Sequence, residues 1–185
     1  MVYLFLAPGF EEIEALCPLD LLRRAGVAVK TVAIGTPDAA VPGAHGITVL
    51  ADMVEADYDP AAPAEMLILP GGMPGAANLD ASPVVDAAIA NAAGAGAYLT
   101  AICAAPMILG HRGLLRGRTA ICFPGFEGEL EGASLASAKV AQDGKIITAA
   151  GMGVALDFGL ALVAALCGQE KADALRAAVQ AGKPA

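Results

Sequence analysis

Cys103 closes the run Tyr98-Leu99-Thr100-Ala101-Ile102-Cys103 and is followed by Ala104-Ala105-Pro106-Met107-Ile108-Leu109. The uncharged, partly β-branched run predicts a buried strand, and the Pro after two alanines predicts the first turns of a helix. Cys103 therefore stands at a strand-to-helix hinge, where a sharp turn lifts a side chain clear of the sheet's carboxyl edge. The unpaired N–H groups and the dipole of the new helix favour an anion at that point. Helix N-termini are among the environments that bring a cysteine pKa from about 8.5 toward 3.5–7.5, so Cys103 is expected as a nucleophilic thiolate at neutral pH. A small apolar packing residue is the plainer use of a cysteine, and the hinge position argues against it here.

Carboxylates open the first helix in Glu11-Glu12-Ile13-Glu14, where they suit the positive end of the dipole. For Glu11 and Glu12 a solvated surface is a sufficient role. Glu14 differs, because Pro18 lies four residues later and cannot donate the N–H that the Glu14 carbonyl would normally accept. An interior Pro costs a helix on the order of 3 kcal/mol, and such violations gather at functional or strained places. Glu14 is thus either a candidate acid or base, or part of a strained turn.

Pro70-Gly71-Gly72 follows the apolar run Met66-Leu67-Ile68-Leu69. It offers either a tight turn or the backbone N–H groups, unobstructed by side chains, that an oxyanion pocket needs. No Gly-Lys-Ser/Thr follows, which excludes a P-loop, and Gly151-Met152-Gly153 lacks the third glycine of a dinucleotide fingerprint. His45, in a Gly/Ala loop beside a strand, is either solvated or pocket-lining. His111 reads as a cation capping a helix end. Cys17 and Cys167 fall on apolar helix faces and read as packing, while Cys122 alternates along a strand and fits either use.

The elements that position these residues follow from periodicity. Strands are predicted over Val2–Ala7, Val27–Ile34, Ile47–Leu50, Met66–Leu69 and Thr119–Phe123, besides the one that ends at Cys103. Helices are predicted over Phe10–Ala25, from Pro83 to Ala93 behind the capping Ser82, from Gly151 to Leu166, and over Gln169–Ala181. Gly35–Gly46 reads as a loop and Asp52–Pro63 as irregular chain. Ser137–Ala141 and Lys145–Ala149 flank Asp143-Gly144 and form a hairpin. Strands alternating with helices give an α/β fold with a mostly parallel sheet covered on both faces. Ligands bind such sheets at the strands' carboxyl ends, where Pro8-Gly9, Pro70-Gly71-Gly72 and Cys103 fall.

The chain of 185 residues fits one domain, 1–185, without internal repeat or linker. It is 57% hydrophobic with a mean hydropathy of +0.63, yet no run reaches the roughly 18 apolar residues of a membrane span. Its first residues lack the basic region of a signal peptide, which predicts a cytoplasmic protein. Four dispersed cysteines without a C-x-x-C pair argue against a disulfide framework or a zinc site. The net charge of −8 opposes nucleic-acid binding.

Ala7-Pro8-Gly9-Phe10-Glu11-Glu12-Ile13-Glu14, Leu69-Pro70-Gly71-Gly72 and Ala101-Ile102-Cys103-Ala104-Ala105-Pro106 together resemble the ThiJ/PfpI superfamily in its DJ-one-like branch. The similarity extends from Val2 past Asp157-Phe158-Gly159. It implies a flavodoxin-like three-layer sandwich, usually a homodimer, that uses no cofactor and no metal. The motif makes Cys103 the nucleophile and Glu14 the acid whose protonated carboxyl contacts the thiolate. Gly72 and Ala104 become the backbone donors to an oxyanion. Apart from the resemblance, Gly71, His45 and Phe123 are expected to line the pocket. Two departures stand out. Phe123-Pro124 replaces the His-Pro of members with a catalytic histidine, and Ala104 replaces the histidine that follows the nucleophile in the protease-like branch, which disfavours peptidase activity.

The activities of the resembled family lead to a cofactor-free enzyme acting on small 2-oxoaldehydes, glyoxalase- or deglycase-like, in stress protection. A redox-sensing or chaperone-like protein, in which Cys103 is oxidised and nothing is turned over, needs the same cysteine beside the same acid.

Overall fold

Central strands buried along their whole length need cover on both faces, and the apolar runs of this chain get it from helices on either side. The computed structural model describes residues 1–182. In chain order the elements are β1 (Val2–Leu6), α1 (Glu12–Arg24), β2 (Val29–Ala33), β3 (Ala40–Pro42), β4 (Thr48–Leu50), β5 (Met53–Val54) and β6 (Met66–Leu69). Then come α2 (Gly75–Asp80), α3 (Pro83–Gly94), β7 (Tyr98–Ile102), α4 (Pro106–His111), β8 (Thr119–Ala120) and β9 (Ser134–Leu135). The chain continues through β10 (Val140–Asp143), β11 (Ile146–Ala149), α5 (Ala155–Cys167) and α6 (Gln169–Ala178).

The main sheet runs β10-β11-β7-β6-β1-β2-β5 and is parallel except where β10 meets β11. Strand pleating sends alternate side chains of β1 to opposite cores. Val2, Leu4 and Leu6 pack with α1, α5 and α6, while Tyr3 and Phe5 pack with α2, α3 and α4. The result is the expected flavodoxin-like α/β sandwich. Successive strands lead outward from β1 to β2 and β5, then the chain returns to β6 on the other side of β1. That reversal opens a crevice at the carboxyl ends of β1 and β6, beside the end of β7 that carries Cys103.

Pro18 does not interrupt α1. It lies against Gly159 of α5, where an added Cβ would stand 2.9 Å from Pro18 Cα and 2.6 Å from Leu21 Cδ1. The Pro thus belongs to a close helix–helix contact, and packing accounts for its place in the helix.

Several boundaries differ from expectation for local reasons. The loop expected over Gly35–Gly46 contains β3, which pairs antiparallel with β4 outside the main sheet and buries Val41 against the α1 side. The strand expected to Phe123 stops at Ala120, because the Ile121 N–H turns to Thr148 Oγ1 and the Phe123 N–H to the Cys103 carbonyl. The Asp143-Gly144 reversal joins β10 to β11, with Gly144 at φ 60°. Among the described residues no helix is long and apolar enough to cross a membrane.

Candidate active site at the strand-to-helix elbow

Cys103 sits between β7 and α4 with φ 65°. A left-handed conformation of this kind costs a non-glycine residue on the order of 1–3 kcal/mol and persists only where surroundings over-determine it. Here the Cys103 N–H donates to the Ala149 carbonyl at 2.9 Å, and its carbonyl accepts from Phe123 N–H at 2.8 Å. The turn leaves the side chain half-buried at the crevice. Gly71 closes one wall: a Cβ there would lie 2.6 Å from Cys103 Cβ and 2.5 Å from Glu14 Oε2. Only glycine lets the carboxylate, the thiol and the β6 loop meet.

Glu14 is brought to the same point by α1. Glu11 caps the helix, its Oε2 accepting from Glu14 N–H at 2.7 Å, while Glu11 N–H donates to the Gly71 carbonyl at 2.9 Å. Glu14 is 1% exposed and its Oε2 accepts from Gly71 N–H at 3.0 Å. Oε1 is buried without a hydrogen-bond partner among the described residues, and the Cys103 thiol and the Met152 N–H also act on the carboxyl. Burial pushes Glu14 up to about 7, against the pull of Cys103, with ionised Glu11 adding to the rise.

Cys103 departs from expectation. With Glu14 ionised, burial first and then the Glu14 charge push the thiol up to about 12, and the N–H groups of Ala104 and Gly72 pull it only part of the way back. The expected depression relied on a helix terminus, but α4 spans only six residues and the sulfur is desolvated. Protonating Glu14 reverses the sign of its contact: a neutral carboxyl carries no charge against the sulfur and can donate its O–H to it. The two groups therefore compete for one proton near neutrality. Gly72, at φ 84°, has no room for a side chain, since a Cβ there would lie 2.6 Å from the Gly9 carbonyl oxygen and closer still to the Glu11 nitrogen.

Glu12 corrects the solvated reading given to it above. It is 2% exposed; Oε1 accepts from His45 N–H at 2.8 Å and Ile47 N–H at 3.4 Å, and Oε2 meets His45 Nδ1 at 2.8 Å. Gly43 has no room for a Cβ beside this carboxylate. Burial alone would raise Glu12, but the bonds from His45, its own backbone and Ile47 hold it below the ordinary carboxylate range. His45 is consequently tied to Glu12, and among the described residues no hydrogen bond joins it to Cys103. Its imidazole is raised by the Glu12 hydrogen bond. Among the described residues, the ligand atoms of Glu11, Glu12 and His45 lie within 4.8 Å of one another and form the one set spaced to hold a metal ion.

Phe123 stands beside the pair with 48% of its surface exposed. A Cβ on Gly151 would lie 3.1 Å from the Phe123 ring and 3.9 Å from Glu14 Oε1, so the Gly151-Met152 turn completes the site. Sequence reasoning passed over that turn after rejecting it as a nucleotide motif. The signal was available in its position at the carboxyl end of β11, level with the other strand ends that form the crevice.

The remaining thiols and the second histidine lie elsewhere. Cys122 is buried and pushed up to about 11, chiefly by burial. Cys17 is half-buried at the α1 core, but Cys167 is exposed at the end of α5 and does not pack as expected. His111 is committed to two carboxylates, Asp80 at 2.7 Å and Glu129 at 2.9 Å, which goes beyond the capping role read from sequence.

An α/β sandwich that holds a left-handed cysteine at a strand-to-helix elbow, against a buried glutamate, defines a class of elbow-cysteine proteins. The chain belongs to the DJ-1/PfpI family, whose family model matches residues 1–165. It is 34% identical to the Parkinson disease protein 7 homolog of Danio rerio, over 93% of this chain and 92% of that protein. It is 30% identical to the glutathione-independent glyoxalase DJR-1.2 of Caenorhabditis elegans, over 89% of this chain and 87% of that one. Among solved structures it resembles oxidised Toxoplasma gondii DJ-1, with a TM-score of 0.93 and 30% identity over 98% of each chain. A variant of the DJ-1 superfamily protein STM1931 from Salmonella typhimurium gives a TM-score of 0.92 and 35% identity, again over 98% of each.

Proposed function

We propose that this protein is a cofactor-free enzyme that converts reactive 2-oxoaldehydes such as methylglyoxal into 2-hydroxy acids, with Cys103 as nucleophile and Glu14 as proton carrier. The observation that carries the reading is the buried Glu14 carboxyl, which meets the elbow cysteine and leaves one oxygen, Oε1, without a hydrogen-bond partner among the described residues. The glyoxalase relative in Caenorhabditis elegans supports it, and a deglycase-like reaction on aldehyde adducts would draw on the same pair.

In the proposed reaction Sγ adds to the aldehyde carbon, and the proton shared by the pair passes through Glu14 to the new alkoxide, giving a hemithioacetal. Ionised Glu14 then removes the proton from that carbon, leaving an enediolate across the two carbons. Glu14 returns the proton to the neighbouring carbon while the hydroxyl proton moves between the two oxygens, and the product is a thioester of the 2-hydroxy acid. Water attacks the thioester, the C–S bond breaks, and the acid and the thiol are regenerated. In this reaction the oxyanions accept from the Gly72 and Ala104 N–H groups, a role supported by the pull of both groups on the Cys103 sulfur. Glu14 or water carries every proton, so the steps call for no cofactor.

We place this activity in the cytoplasm, where four free cysteines suit the reducing conditions, and assign the protein a homodimeric form. Exposed Ile13, Ile47 and Leu50, around the first turn of α1 and the β3–β4 ribbon, give such a pairing an apolar surface.

The test is lactate release from methylglyoxal without glutathione. The parent releases it, Cys103→Ala does not, and Cys122→Ala matches the parent. Equal losses in both variants would overturn the assignment of the nucleophile. If fresh reduced parent never consumes methylglyoxal while limiting peroxide modifies Cys103 before the other cysteines, the site is a redox sensor.

A further inference from the structure

Beside the reactive pair lies an open cleft of about 340 Å3 walled by Phe123, Pro124, Ala150, Met152, Val154 and Lys139. Phe123 is 48% exposed and Met152 52%, so two large apolar side chains face solvent next to a site that acts on small polar molecules. Gly151 joins the cleft to the pair, since a side chain there would fill the space between the Phe123 ring and Glu14 Oε1.

The lining of the cleft includes a cation, Lys139. The Lys139 carbonyl accepts from Ala150 N–H at 2.9 Å, which fixes its backbone at the wall, and its side chain is exposed. Among the described residues no carboxylate pairs with the Lys139 ammonium, whereas each of the six arginines is held in an ion pair. In a chain of net charge −8, an uncommitted cation lining an apolar cleft is a local positive field where an anionic group gains.

Resting on the aldehyde reading above, we propose that the preferred substrate is a 2-oxoaldehyde whose carbon chain runs over Phe123 and Met152 and ends in a carboxylate received by Lys139. Methylglyoxal, with a single methyl group beyond its two carbonyls, has no carbon chain and no anion to offer this cleft. The geometry requires an apolar spacer between the dicarbonyl head and the anion. It does not favour a carboxylate directly on the ketone carbon, which would fall beside Glu14.

The experiment compares kcat/KM for 4,5-dioxopentanoate with that for 2-oxopentanal, its uncharged counterpart of equal chain length. The expected preference for the charged substrate is about tenfold, in the range one well-placed contact supplies, and it shrinks as salt rises. Lys139→Gln brings the ratio to about one, and the exposed control Lys171→Gln keeps it near ten. A second arm reads binding without turnover, using protection of Cys103 from iodoacetamide by 4-oxopentanoate and by 2-pentanone, neither of which has an aldehyde carbon. The ketoacid protects the parent better, and Lys139→Gln loses that difference. Turnover of both aldehydes at equal kcat/KM, with equal protection by both ketones, overturns the inference and leaves the aldehyde reading in place. Lys139-dependent protection without turnover of any aldehyde retires the aldehyde reading and upholds the cleft as a carboxylate site.

Discussion

Glu12 and Glu14 enter the first turn of one helix two residues apart, and both are buried, yet they meet opposite surroundings. Glu12 receives two backbone N–H groups and an imidazole, which hold it ionised. Glu14 accepts one N–H at full hydrogen-bond geometry, on Oε2, and leaves Oε1 without a partner among the described residues, so burial wins and its proton stays to about 7. Burial has the same sign for both but weighs far more heavily on Glu14, whose surroundings are more deeply desolvated, while on Glu12 the hydrogen bonds outweigh it. The satisfied carboxylate ties the β3–β4 ribbon to the helix, and the unsatisfied one is the proton carrier proposed above.

The sharpest way to break this comparison is to give Glu14 a side chain that keeps its shape without its acidity. Glu14→Gln lowers turnover of methylglyoxal by about 10²–10⁴-fold, the usual contribution of a positioned acid or base, while circular dichroism stays that of the parent. Parent-like turnover would remove Glu14 from the reaction.

Stability against pH gives the next largest effect. Glu14 binds its proton more tightly in the folded chain than in the unfolded one, so its contribution is fully present below about 4.5 and is lost as pH rises to about 7. The size of that loss is on the order of 3 kcal/mol. Urea unfolding of the parent and of Glu14→Gln from pH 4.5 to 8 therefore moves in the variant's favour as pH rises. A constant difference between the two would show that Glu14 is not held protonated by the fold. Glu12 has the reverse sign, since its lowered value gives stability above the ordinary carboxylate range that fades in acid.

Removing the satisfied carboxylate has the smallest effect of the three. Glu12→Ala strips the acceptor from His45 and Ile47 N–H and costs about 2 kcal/mol in urea unfolding at pH 7. The folded fraction keeps its reactive pair, so Cys103 alkylation per folded molecule stays close to the parent's. A loss confined to alkylation, with stability intact, would merge two roles kept separate here.

The framework was legible wherever one strong local signal ruled. Continuous apolar runs marked β1, β6 and β7, Ser82-Pro83 marked the start of α3, and the Cys103 elbow followed from a strand meeting a helix. What escaped depends on contacts distant in sequence. Nothing local marks Glu12 as buried, because its partners at His45 and Ile47 arrive from the β3–β4 ribbon. Pro18 looked like a functional anomaly until Gly159 supplied its packing partner. The thiol's electrostatics were read from the helix end alone, whereas burial and a carboxylate from α1 outweigh it.

The central claim is that Glu14 keeps its proton into the neutral range because it is buried against Cys103. Carbon-13 NMR of protein labelled at glutamate side-chain carboxyls, with the Glu14 signal identified by its loss in Glu14→Gln, measures this directly. The account predicts a midpoint near 7 for that carboxyl, and a midpoint near 4.5 would contradict it.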